Sequence, residues 1–174
     1  MPTANCSVDA LAALALRDVR IQRNGGFEVS LKDLTLRDRE VAALVGPSGC
    51  GKTTLLWGVL GLLPGVSAAG VREVLGQAWP GTGTVAWRKM LAGPVTIVMQ
   101  DAKAALDPLQ RIGVQVETIT GRDSNQVAEA FSRFGLADAR RFAQAWPHEI
   151  SGGQAQKVLL AIALLRAPRL LVMD

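Results

Sequence analysis

The run Gly46-Pro-Ser-Gly-Cys-Gly-Lys-Thr53 fills every fixed position of the spacing G-x-x-x-x-G-K-[ST]. Its glycines let the backbone curl so that successive N–H groups point inward, and a helix starting near Gly51 adds its positive dipole end. That combination makes a cradle for a polyphosphate. Lys52 would reach the outer phosphates as a point charge, and the hydroxyl of Thr53 would ligate a magnesium ion held between them. Gly46, Ser48, Gly49, Cys50, Gly51, Lys52, Thr53 and Thr54 are therefore the candidate nucleotide-binding set. A chance glycine-rich turn would explain the glycines but not the lysine, the threonine and the flanks together.

The elements that must hold this loop are legible on either side of it. Val41-Ala-Ala-Leu-Val45 is an uninterrupted apolar run, expected to be a buried parallel strand, and Thr54-Leu-Leu-Trp-Gly-Val-Leu60 has helical character, with Pro64-Gly65 expected to end that helix. Upstream, Leu14 to Ile21 and Phe27 to Leu36 alternate as strands joined by a turn at Asn24-Gly-Gly26, and residues 1–10 are expected to be poorly ordered. Segment 66–94 carries glycines and tryptophans with weak periodicity. From Leu106 to Trp146 helical patterns dominate, Val127 to Phe134 among them.

A second stretch, Trp146-Pro-His-Glu-Ile-Ser-Gly-Gly-Gln154, runs into the apolar helical pattern Val158 to Leu165. Ser151 is a good N-cap, and Gly152 and Gly153 expose backbone N–H groups at a helix start, so on its own the stretch is either an ordinary cap or an anion site. The helix is expected to stop before Pro168. Val95-Thr-Ile-Val-Met-Gln100-Asp101 and Leu170-Leu-Val-Met-Asp174 are two further apolar runs, the first reaching a glutamine that could be just a polar boundary residue and the second reaching a carboxylate.

Taken together and in this order, these stretches resemble the motifs of ATP-binding cassette (ABC) ATPases: phosphate loop, Q-loop glutamine Gln100, signature Ser151-Gly-Gly-Gln154, and the Walker B strand ending at Asp174. The resemblance implies an α/β P-loop NTPase core with an N-terminal antiparallel β part and an inserted helical lobe. The expected layout is a β-rich core over 1–104, a helical lobe over 105–150, and the signature helix and Walker B strand over 151–174. It also implies that ATP and Mg²⁺ are the cofactors, that Gln100 and Asp174 serve the metal and the attacking water, with Thr53 as a metal ligand, and that Ser151, Gly152, Gly153 and Gln154 meet an ATP held by a second ABC ATPase subunit. Ala105 to Glu117 is similar to the corresponding region of importers for peptides and nickel. Such systems imply transmembrane permease subunits and an extracytoplasmic substrate-binding protein as partners, and a cytoplasmic place on the inner face of the plasma membrane.

The resemblance also carries departures. The family's water-polarising glutamate follows the Walker B aspartate, and its D-loop and switch histidine lie further on; the chain is therefore expected to be truncated after the Walker B strand and to hydrolyse ATP poorly or not at all by itself. His148 precedes the signature and is expected to be a surface or cap-supporting group. Where relatives stack an aromatic ring on adenine this chain has no tyrosine, and Arg23 and Phe27 remain as alternatives. A non-catalytic nucleotide-binding or assembly module is the alternative from another class. A P-loop kinase would need an acceptor site and lid that the sequence does not offer, and DNA-repair relatives would need coiled-coil insertions.

Composition sets outer bounds. The chain has 174 residues, 49% of them hydrophobic, enough for one domain with a real core. Its apolar runs fall short of the roughly 20 residues that span a bilayer. A net charge of +4 spread along the chain reads as solvated faces, with no nucleic-acid groove. Cys6 and Cys50 make no metal or disulfide pattern. Cys50 lies inside the loop, where alkylation is expected to block nucleotide binding; the alternative is an inert small residue at a variable position.

Overall fold

The computed structural model describes residues 12–23 and 26–174. The chain divides into two compact units, Met1–Met90 and Leu91–Asp174. Expectations for residues 1–10 and for Asn24-Gly25 in the turn fall outside the described residues.

The first unit is built on strand pairing. β1 (Ala12–Arg23) runs antiparallel to β2 (Phe27–Arg37) and to β3 (Val66–Val74), which pairs in turn with the short β4 (Gln77–Ala78), giving the order β2-β1-β3-β4. The two strands read from alternation are the β1–β2 hairpin, in register from Leu14↔Leu36 to Arg23↔Phe27. Val19 and Ile21 of β1 turn inward and are fully buried, against Leu55 and Val59 of α1 (Lys52–Val59). Two side-chain-free points allow this approach and bend the sheet. A Cβ on Gly58 would sit 2.5 Å from Ile21 Cγ2, and one on Gly70, at φ +94, would sit 2.4 Å from the Asp18 carbonyl oxygen, where the β1–β3 register shifts.

Two expectations are corrected here. Val41–Val45 is not a buried strand: it has no ladder partner among the described residues, and Val41 and Val45 are 96% and 87% exposed. An apolar run becomes a strand only when a neighbour takes up its N–H and C=O groups. The helix after the loop also ends before Pro64-Gly65. It stops at Val59, because Gly61 (φ +68) donates to the Gly58 carbonyl at 3.1 Å and Leu62 donates to that of Trp57 at 2.9 Å. That is the paired bond of a Schellman ending, which glycine's freedom at positive φ permits. The weakly periodic segment 66–94 holds β3, β4 and α2 (Val85–Ala92).

The second unit pairs β5 (Val95–Val98) in parallel with β6 (Leu170–Met173). Between them come α3 (Ile112–Thr120), α4 (Ser124–Arg133), α5 (Ala139–Ala143), a 3₁₀ turn over Pro147–Glu149, and α6 (Gly152–Arg166). Ile112 and Val116 of α3, Val127 and Phe131 of α4, and Ala155 and Val158 of α6 share one buried cluster. Gly113 lets α3 press on α5, since a Cβ there would lie 2.8 Å from that of Ala143.

Candidate functional site

The glycine-lysine loop occupies residues 46–51 and feeds directly into α1. Cys50 N–H donates to the Pro47 carbonyl at 3.4 Å, closing a turn with Gly49 at φ +80. Gly51 follows at φ +97 as the N-cap. Its missing Cβ is structural: one would lie 2.5 Å from Val29 Cγ2 and 3.1 Å from Phe27 Cζ, so the end of the loop lies directly on β2. The Lys52 amine donates to the carbonyls of Gly46 at 2.9 Å and Pro47 at 2.8 Å, and lies 3.9 Å from Cys50 Sγ. It thus sits across the loop's mouth with its charge exposed.

The two ends of α1 differ in a way that bears on ligand chemistry. Its N-cap is Gly51, which has no side chain to close the helix start, no acidic residue stands in its first turn, and its first closing bond runs from Leu55 N–H to the Gly51 carbonyl at 2.8 Å. A helix start with a glycine N-cap and a lysine over it favours an anion. Ser48, Gly49 and Cys50 in the loop are exposed, as is Thr53, and Thr54 is half-buried.

In the second unit, Gln100 and Asp174 lie beyond the carboxyl ends of neighbouring parallel strands. Asp174 N–H donates to the Val98 carbonyl at 3.1 Å, extending the β5–β6 ladder by one bond, and Gln100 stands exposed two residues past Val98. The rim outside the carboxyl ends of parallel strands is where open α/β sheets bind ligands. The following loop is tightly tied. Asp101 Oδ1 accepts from Ala104 N–H at 3.1 Å, and buried Gln115 accepts from Asp107 N–H at 2.8 Å while donating to the carbonyls of Asp107 and Gln110.

Ser151 caps α6 as its sequence predicts: its hydroxyl accepts from Gln154 N–H at 3.2 Å, and Gln154 Oε1 accepts from Ser151 N–H at 2.8 Å. This reciprocal box orients the helix start and leaves Gly152 and Gly153 exposed, with nothing within 4 Å of where a Cβ would be. His148 is exposed in the 3₁₀ turn, its ring stacked at 6.4 Å on that of Trp146, and the Arg111 guanidinium lies 5.2 Å from the Trp146 ring centroid. Arg111 also donates to the Gln144 carbonyl, and Ile112 N–H to that of Ala145, so the start of α3 is clipped to the segment entering the signature. Neither Arg111 nor Trp146 carries a local sequence signal for this, because their pairing spans the helical lobe.

A phosphate loop opening a helix, with a serine-boxed Gly-Gly helix and an aspartate ending a parallel strand, defines the class of ATP-binding cassettes. The chain belongs to the ABC transporter family, whose profile matches residues 30–174. It is 31% identical over 192 residues to the oligopeptide transport ATP-binding protein OppD of Escherichia coli, covering 100% of this chain and 55% of that protein. It is 30% identical over 170 residues to the nickel import ATP-binding protein NikD of Pseudomonas putida, covering 94% of this chain and 65% of that protein. A Brucella abortus protein provisionally named as a peptide import ATP-binding protein is 39% identical over 150 residues, 81% of this chain and 43% of the other. The chain thus spans about half the length of the curated relatives it matches. Among solved structures, CbiO1 of Clostridium perfringens, part of the ABC transporter complex CbiONQ, superposes with a TM-score of 0.74 at 21% identity, over 94% of this chain and 65% of that one. The ATP-binding cassette MJ0796 bound to ADP and Pi does so with 0.73 at 24% identity, over 92% and 73%. These last two bear on the fold, an α/β P-loop ABC ATPase core.

Proposed function

We propose that this chain is the ATP-binding part of an importer of the peptide or nickel type. The observation that carries this reading is the start of α1, where a glycine N-cap with no acidic residue in the first turn follows the glycine loop and the Lys52 amine lies on the loop's carbonyls. These residues fit a polyphosphate. The amine rests on two neutral carbonyls, which an anionic phosphate outcompetes through a charge-assisted bond. The Thr53 hydroxyl and the Asp174 carboxylate are hard oxygen donors suited to Mg²⁺, with Gln100 beside them in role. When bound, the metal supplies charge neutralisation on the phosphates. Gly46, Ser48, Gly49, Cys50, Gly51 and Thr54 complete the cradle. Phe27 is 44% exposed with its ring at Gly51, which supports giving it, rather than Arg23, the contact with the base.

Ser151, Gly152, Gly153 and Gln154 would meet the ATP of a second ABC ATPase subunit. The relatives are named as transport and import ATP-binding proteins, and an importer of that kind would add permease subunits and an extracytoplasmic binding protein as further partners. No helix among the described residues is long and apolar enough to cross a membrane. The importer reading itself would put the chain at the cytoplasmic face, docked on those permeases. ATP titration of the 174-residue chain with and without Mg²⁺ tests the reading. Binding that Lys52→Ala weakens at least tenfold supports it, and binding indifferent to Lys52 removes it. Phosphate release then separates a turning-over subunit from a binding module.

A further inference from the structure

The carboxyl end of α1 is closed by donors from both backbone and side chains. The carbonyls of Leu56, Trp57 and Gly58 accept from Leu60, Leu62 and Gly61 N–H groups at 3.2, 2.9 and 3.1 Å. The next two carbonyls cannot be reached by the turning backbone, and two side chains from other elements take them. Arg72 of β3 donates from Nη1 to Val59 at 3.0 Å, and Trp87 of α2 donates from Nε1 to Leu60 at 2.9 Å. Burial lowers the Arg72 pKa from its ordinary value, and the guanidinium still carries its charge onto the negative end of the helix.

We infer that Arg72 and Trp87 are positioning residues for the phosphate-binding helix, gripping its far end so that the loop at its near end keeps the geometry a triphosphate needs. The inference rests on the reading of residues 46–53 as the phosphate site. A helix of 8 residues is too short to hold itself, so its placement comes from its contacts. Gly58 rests on Ile21 as a fulcrum. Leu60 lies about 3 Å beyond that point along the axis and Lys52 about 9 Å on the other side, by helical rise. A shift at the gripped end is therefore magnified about threefold at the lysine, and displacements of about 1 Å already matter for ligand geometry.

The test is ATP titration of wild type, Lys52→Ala, Arg72→Met, Arg72→Lys, Trp87→Phe and Val74→Ala, below every melting transition, with tryptophan emission recorded. Arg72→Met and Trp87→Phe should each weaken ATP about three- to tenfold, while Arg72→Lys recovers part of the loss. The emission change on adding ATP should shrink in Trp87→Phe. Val74, 1% exposed in the same strand, touches neither carbonyl in this way, so Val74→Ala should lower the melting temperature and leave affinity within about twofold. Wild-type affinity in Arg72→Met and Trp87→Phe overturns the inference, as does an equal loss in Val74→Ala, which would make the effect one of stability. Should Arg72→Met not fold, Trp87→Phe and Arg72→Lys decide by the same criteria. Absence of Lys52-dependent binding in wild type removes the phosphate-site reading and this inference with it; intact binding in the variants removes the inference alone.

Discussion

Gly51 and Val29 are packed so closely that a Cβ on the glycine would stand 2.5 Å from Val29 Cγ2. The phosphate loop is thus seated on β2 through a residue that has no side chain, at φ +97, where L-residues are strained. Gly51→Ala should lose about 2–4 kcal/mol in urea unfolding and most of its ATP affinity. The double variant Gly51→Ala/Val29→Ala should recover only the steric share, because the backbone strain stays. Full recovery would show that φ at this position is free to relax.

Gln115, at 4% exposure, is the hub of the loop after Gln100. Its amide serves three backbone groups, Asp107 N–H, the Asp107 carbonyl and the Gln110 carbonyl, at 2.8–2.9 Å. Gln115→Leu keeps similar bulk and orphans all three, which should cost about 2–5 kcal/mol. Hydrogen exchange at Asp107 to Gln110 should speed up more than exchange in α4. A loss under about 0.5 kcal/mol would mean that water replaces the amide at no cost.

Arg39 closes the turn after β2 at φ +65, between Arg37 and Glu40, whose backbone bond is 3.2 Å long. Left-handed backbone costs an L-residue about 1–2 kcal/mol, and a glycine gives back about half of that through its floppier unfolded chain. Arg39→Gly should therefore raise the melting temperature by about 1–4 °C, and Arg39→Val should lower it. Calorimetry of the two variants checks the sign, and a melting temperature lowered by glycine would show that the arginine side chain outweighs its backbone.

What the sequence disclosed and what it withheld divide along a physical line. The loop 46–53, the Ser151 cap and the β1–β2 hairpin rest on local residue types and spacing, which located them. The strand before Asp174, whose partner β5 is distant in sequence, was legible only through its resemblance to a family motif. Val41–Val45 looked like a strand because pairing is invisible in a single run of apolar residues, and the exposure of Val41 and Val45 shows that hydrophobicity did not supply a partner. The end of α1 was placed too late because Pro64-Gly65 is a louder signal than Gly61, although it is Gly61 that turns the chain. Arg72 and Trp87 could not have been found this way: each meets a carbonyl 13 or 27 positions distant.

Cys50 offers a chemical probe of the same loop. It is exposed, and its sulfur lies 3.9 Å from the Lys52 amine that would meet the phosphates. A maleimide adduct on Sγ would occupy the space beside that amine, so alkylation should abolish ATP binding, and prior saturation with ATP should slow the alkylation. Cys50→Ser keeps a small polar residue at the position and should bind ATP while resisting the reagent, which also separates this site from Cys6. Peptide mass mapping identifies the modified residue alongside the titration. If the alkylated chain still bound ATP with wild-type affinity, the phosphates would have to lie away from this face of the loop, and the roles given to Lys52 and Thr53 would fall together.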